Sequence, residues 1–185
     1  MVFLQLATPA DMPDLEHYRF TRAFPYLLAK VGVRMEQLFS AELRSDDLTL
    51  PMYRVMAALR EQEDQRLIDL AEMVSSELST LSRLVGKMIA KRYVTRKRLT
   101  DDGRTVCISI TPSGRALLER WIPRAIYYEQ LATAGLDATQ LKQLRLLMDH
   151  IFANLHRVEI GGPMPELKPE PAARAKAPAA RKPKR

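Results

Sequence analysis

Residues 67–114 read LIDLAEMVSSELSTLSRLVGKMIAKRYVTRKRLTDDGRTVCISITPSG, and the architecture can be worked out from their spacing. Leu67, Leu70, Ala71 and Val74 recur at helical spacing and predict a short helix over 66–74. After the Ser75-Ser76 turn a second helix is predicted over 77–91, with either serine able to cap it. Leu78, Leu81, Val85, Met88 and Ile89 form one face of that helix, whereas Ser76, Ser79, Thr80, Arg83 and Lys87 fall on the other. One side is built to pack and the other to donate hydrogen bonds. Residues 93–99 and 104–110 then alternate as strands around Thr100-Asp101-Asp102-Gly103, whose Asp-Gly step signals a hairpin. Val106, Ile108 and Ile110 are expected on one face of the second strand.

Upstream, Leu27, Leu28, Val31, Met35, Leu38 and Phe39 predict a helix over 25–43, with Pro25 in its first turn. A weaker helical pattern runs over about 12–22. Thr49 is placed to cap a short helix whose stripe is Met52, Val55, Met56 and Leu59. Downstream, Thr111-Pro112 opens a helix carrying Leu117, Leu118, Trp121, Ile122, Ala125 and Ile126, in which Pro123 predicts a kink. A last helix begins at Asp137-Ala138-Thr139-Gln140, a capping-box start, and runs to about Val158. Its Leu141, Leu144, Met148, Ile151 and Leu155, widened by Leu147 and Phe152, suit packing against another helix, either within the monomer or across a dimer.

The 185 residues suffice for an ordinary domain with a hydrophobic core. No stretch is apolar enough to span a bilayer, and the first residues lack the basic flank of a signal peptide, so a cytoplasmic protein without membrane attachment is expected. The single cysteine, Cys107, rules out an intrachain disulfide and a thiolate zinc cluster, and no metal or cofactor is expected. The net charge is +7, and residues 163–185 carry seven Lys/Arg against Glu166 and Glu170, a balance of +5. This segment, PMPELKPEPAARAKAPAARKPKR, has no apolar period and reads as a disordered cationic tail, able to attract polyanions or simply to keep the protein soluble. His17, His150 and His156 are scattered, and no nucleophile–base or paired-carboxylate arrangement stands out, so no enzyme is expected.

Two short helices, a tight turn, a hydroxyl-and-arginine face and a basic hairpin, in that order, make a winged helix-turn-helix. An α-helix fits the major groove, Arg and Lys can contact guanine, and Ser and Thr can serve bases or phosphates. Arg83 and Lys87 are the specificity candidates, with Ser79 and Thr80 nearer the backbone and Ser76 a further DNA-binding candidate. Arg96, Lys97, Arg98 and Arg104 form a cationic finger able to reach a minor groove, where Asp102 can orient an arginine.

The run from about Leu48 to Glu119 resembles the MarR-type (multiple antibiotic resistance regulator) transcriptional regulators. The resemblance rests on Leu-Thr at 48–49, Leu-Ala at 70–71, Ser79-Thr80-Leu81-Ser82-Arg83, Asp102-x-Arg104 and Thr111-Pro112-Ser113-Gly114, and extends over about 26–156. It implies a mainly α fold with a small β-wing: a winged helix-turn-helix domain at 47–111 plus a helical dimerisation region at 25–46 and 112–160. An N-terminal arm and short helix at 1–24 and a disordered basic tail at 161–185 complete the expected organisation. It further implies a repressor acting as a homodimer on a palindromic double-stranded operator, released by a small aromatic or phenolic carboxylate. Val33, Arg34, Met52, Tyr53 and Met56 are the first candidates for that effector site, although a methionine stripe is more often core than pocket wall and Arg34 can instead pair with a surface carboxylate. A redox regulator acting through Cys107, with Arg96 and Arg104 near the thiol, and a non-sensing architectural protein remain as alternatives. Such relatives usually place Gly where Arg92 stands, so a left-handed residue there would cost about 1 kcal/mol or more.

Overall fold

The computed structural model describes residues 18–98 and 106–163. It is mainly helical with a small antiparallel sheet, as the sequence predicts. A 3₁₀ turn at Phe20–Arg22 leads into α1 (Phe24–Leu43), and a second at Arg44–Asp46 leads to α2 (Leu50–Glu61). Then come β1 (Gln65–Arg66), α3 (Leu67–Met73), α4 (Leu78–Ala90), β2 (Val94–Arg98), β3 (Val106–Ile110) and α5 (Pro112–Ala132). These belong to one compact unit; α6 (Ala138–His156) belongs to a second. Of the expected helix over 12–22, Phe20–Arg22 form a 3₁₀ turn, and the residues up to 17 lie outside the described ones. The hairpin tip with Asp102 and Arg104, and the basic tail beyond Pro163, also lie outside them.

The core gathers the predicted apolar faces. Leu43, Val55, Met56, Leu59, Leu70, Leu81, Val85, Met88 and Leu118 are fully buried, with Leu48, Val94 and Ile108 almost so. Thr49 caps α2 by accepting from the Met52 amide at 3.4 Å. Leu78 does not join the packed face of α4 but stays exposed in its first turn. Neither Ser75 nor Ser76 caps that helix. Its N-cap is Glu77, with no side-chain cap bond, because Ser75 is spent closing α3 in a left-handed conformation (φ 50°). The Ser76 and Ser75 amides donate to Ala71 and Glu72 carbonyls at 2.9 and 3.1 Å, the paired bonds of a Schellman ending.

A third strand escapes the sequence pattern. The sheet order is β1-β3-β2, with Gln65 and Arg66 pairing Ile108 and Cys107. Two residues are too few to show a period of two. Because β3 is thereby central, Cys107 and Ser109 are buried at 2% and 3% exposure, while Val106 at the strand's open end stays exposed. Val106, Ile108 and Ile110 share one face of β3 as expected, but burial does not alternate with it, because Cys107 and Ser109 on the other face are buried too. Pro123 does not break α5, which runs on to Ala132. Proline cannot serve the carbonyl of Glu119, but both residues are exposed, so water can take that bond.

The end of α4 and the start of α5 lock together. Arg92 adopts φ 61°, with its amide and that of Tyr93 donating to Ile89 and Met88 carbonyls, both at 2.9 Å. Its carbonyl lies 2.6 Å from the Thr111 hydroxyl and accepts from Ser113 at 2.7 Å. Thr111 also caps α5, accepting from the Gly114 amide at 3.0 Å. A Cβ on Gly114 would overlap the Tyr93 carbonyl, so only glycine lets the two segments approach. Gly114→Ala should destabilise the fold by about 1–3 kcal/mol in urea melts. Arg92→Gly should instead stabilise it by up to about 1 kcal/mol, since the left-handed cost disappears while the backbone bonds remain.

Candidate nucleic-acid interface

The sequence places Ser79, Thr80, Arg83 and Lys87 away from the buried side of α4, and all four are exposed. They lie opposite Leu81, Val85 and Met88, so the apolar packing of one face fixes the presentation of the other. Arg83 Nε donates to the Ser79 carbonyl at 3.4 Å, which folds the guanidinium along the helix surface. Ser76 is half-buried in the turn ahead of the helix, its hydroxyl donating to the Glu77 carbonyl at 3.4 Å. After α4 the chain enters β2, whose Arg96, Lys97 and Arg98 are exposed. The helix face and basic strand therefore come from adjoining elements of one unit, held by the junction at Arg92. Such an arrangement offers hydrogen-bond donors and positive charge to a polyanion.

The candidates for a small-molecule site separate. Met52 and Met56 are 5% and 0% exposed and serve the core. Val33 is exposed on α1. Arg34 borders a groove of about 480 Å³ between α1 and α5, with Lys30, Val31, Met35, Leu38 and Tyr128. Tyr53 borders a different cavity of about 300 Å³ between α1, α2 and α5, with Phe39, Leu50, Arg54, Ala125 and Tyr128. There Phe39 meets Tyr53 edge-on at 4.9 Å between ring centroids, an apolar aromatic wall. Arg54 stands at its rim, paired only loosely with Glu36 at 3.9 Å. Burial pushes the Tyr53 hydroxyl's pKa up, so it stays protonated and able to donate. Arg54 and Tyr128 carry no local signature, since only their convergence from separate helices makes them neighbours.

Two carboxylates at the end of α1 grip α5. Glu42 accepts from Arg124 at 2.6 and 2.9 Å and from the Tyr128 hydroxyl, while Asp46 accepts from Trp121 Nε1 at 2.7 Å and from Arg120. The Tyr128 hydroxyl first, then the Arg124 guanidinium, hold the Glu42 carboxyl below its usual range. Cys107 is buried on the central strand β3, and its opposite residues are Lys97 and Arg66; Arg96 faces Ile108 instead. Among the described residues no group of three His, Cys, Asp or Glu could hold a metal, and no helix is long and apolar enough to cross a membrane.

Residues 37–121 match the family described as transcriptional regulator SarA/Rot. The HTH-type transcriptional repressor IacR of Pseudomonas putida is 29% identical over 135 residues, covering 71% of this chain and 80% of IacR. The multiple antibiotic resistance protein MarR of Salmonella typhimurium is 25% identical over 127 residues, covering 68% of this chain and 88% of MarR. Bordetella bronchiseptica BpsR, whose DNA binding is regulated by 6-hydroxynicotinic acid, superposes with a TM-score of 0.63 at 25% identity, over 72% of this chain and 97% of that one.

A carboxylate with a depressed pKa contributes stability that is present above the ordinary carboxylate range and is lost as pH falls through its folded-state value. Glu42→Gln should therefore lower Tm most near neutral pH, and the gap from wild type should close as the pH is taken down into the acid range. Thermal melts at several pH values check this.

Proposed function

We propose that this chain, a winged helix-turn-helix regulator of the MarR type, represses transcription as a homodimer seated on a palindromic operator and released by a small aromatic or phenolic carboxylate. The observation that carries the reading is the division of α4 into a buried apolar face and an exposed face of Ser79, Thr80, Arg83 and Lys87, directly followed by the basic strand β2. In this reading α4 enters the major groove, where Arg83 and Lys87 read base edges and Ser76, Ser79 and Thr80 serve phosphates or bases. Arg96 and Arg98, with Arg104 oriented by Asp102 at the hairpin tip, hold the backbone near the minor groove.

Dimerisation is supported by apolar surface that the single chain leaves open. Leu27, Leu28 and Val31 of α1 are exposed, and α6 has no buried residue although Leu144, Leu147, Phe152 and Leu155 lie along it. The regions 25–46 and 112–160 would pair two copies, so that two α4 helices meet two half-sites. The effector reading is supported by the aromatic wall of Phe39 and Tyr53 beside Arg54, where a planar ring could stack and a carboxylate meet the guanidinium. The regulation of BpsR by 6-hydroxynicotinic acid favours the same ligand class. Burial of Cys107 at 2% exposure speaks against a peroxide-reactive thiol.

Gel shifts against the chain's own promoter region and random duplex should give a preference of about a thousandfold or more that survives truncation after Gly162. Loss of all selectivity on truncation would favour an architectural binder that depends on its tail. Arg83→Ala should lose about 1–3 kcal/mol and relax the preference at particular base pairs. Light scattering should report a particle of twice 21.1 kDa. Thermal-shift screening with aromatic acids should give hits that also weaken the gel shift, and Arg54→Ala should abolish both effects.

A further inference from the structure

The wing's sheet has two faces of different electrostatic character. Directly opposed residues of an antiparallel pair project to the same face, and neighbours along a strand project to opposite faces. The register therefore puts Arg66, Cys107 and Lys97 on one face, across β1, β3 and β2 in turn. Arg96 and Arg98, opposite Ile108 and Val106, share the other. A duplex lying against one face of β2 cannot take all three cations alike.

On the first face positive charge is compensated. Arg66 donates to both carboxylate oxygens of Asp69, at 2.7 and 2.6 Å, and the Asp69 carboxyl is held below its usual range by that bond. Lys97 Nζ lies 3.8 Å from Asp64 Oδ1. The same Asp64 oxygen accepts from the hydroxyl of Ser109, which is 3% exposed on β3. Asp64 itself sits at φ 56°, a left-handed conformation that a non-glycine residue keeps only where its surroundings hold it. One carboxylate thus ties the loop after α2 to the central strand and to the basic strand. On the second face, Arg96 and Arg98 are exposed, and neither has an acidic partner among the described residues.

We propose that Asp64 is a positioning residue for DNA recognition, keeping Lys97 on the neutralised face and setting the wing so that, of the three cations on β2, Arg96 and Arg98 meet phosphate. This rests on the DNA-binding reading above and divides the labour within its basic strand. An exposed ion pair alone contributes little, so the anchoring comes chiefly from the half-buried Ser109 bond, with Lys97 following the strand's alternation.

The test measures binding of the full-length protein to operator and random duplex over a salt series. Arg98→Ala should lower the slope of log affinity against log salt by about 0.9 per wing, the release of one phosphate contact, whereas Lys97→Ala should leave the slope unchanged. Asp64→Ala should cut the operator-to-random ratio by about tenfold. Asp64→Asn, which still accepts the Ser109 bond, should restore most of it. Equal slope losses from Lys97→Ala and Arg98→Ala would overturn the division of faces. A lower Tm for Asp64→Ala with an unchanged binding ratio would leave Asp64 a strut of the fold only. A wild-type protein with no operator preference, and a slope insensitive to Arg98→Ala, would remove the DNA-binding reading itself.

Discussion

The junction where Thr111 and Ser113 bind the carbonyls of Arg92 and Tyr93 holds the rest of the molecule in register. The hairpin leaves α4 at this point and returns to α5 at the same point, with Val94 paired to Ile110. The helix face and the basic strand can therefore keep a constant relation only if this joint is tight. It is tight because Gly114 has no side chain, and because the left-handed turn at Arg92 directs its carbonyl toward two hydroxyls. An unfavourable backbone angle is stabilised there by hydrogen bonds from residues about twenty positions away.

Around that joint the molecule separates apolar from polar work. Buried Leu81, Val85 and Met88 anchor α4 against the core formed with Val55, Leu59 and Leu70, so the opposite face needs no partner within the chain. The same helix α2 that supplies Val55 and Leu59 to this core presents Tyr53 and Arg54 to the cavity beside α1 and α5. One element thus borders both α4 and the cavity proposed for the effector. The carboxylates Glu42 and Asp46 clamp α5 to the end of α1, fixing the aromatic walls of that cavity through Trp121 and Tyr128.

The sheet shows how charge is sorted by geometry as well as by composition. Arg96, Lys97 and Arg98 are consecutive cations, yet strand alternation gives them two different surroundings, one supplied with acids by Asp64 and Asp69. A run of basic residues is one feature in the sequence and two in space.

Most of the helices, the division of α4 into two faces and the hairpin strands were legible in the sequence, because local periodicity and turn chemistry specify them without reference to the rest of the chain. The Thr-Pro-Ser-Gly start of α5 was legible as a cap, and Arg92 as a site of backbone cost. What the chain could not reveal locally was everything set by residues meeting from far apart. Two-residue β1 makes β3 central and buries Cys107 and Ser109. The stripe of Met52 and Met56 was legible as a packed face of α2, but not that Arg54 on the same helix borders a cavity with residues of α1 and α5. Glu42 finds Tyr128 across 86 positions. Sequence alone determined which surfaces are apolar and which are charged, since that follows from spacing along each element. Only the tertiary structure decided which of those surfaces face one another, because burial and ion pairing depend on what the other elements bring alongside.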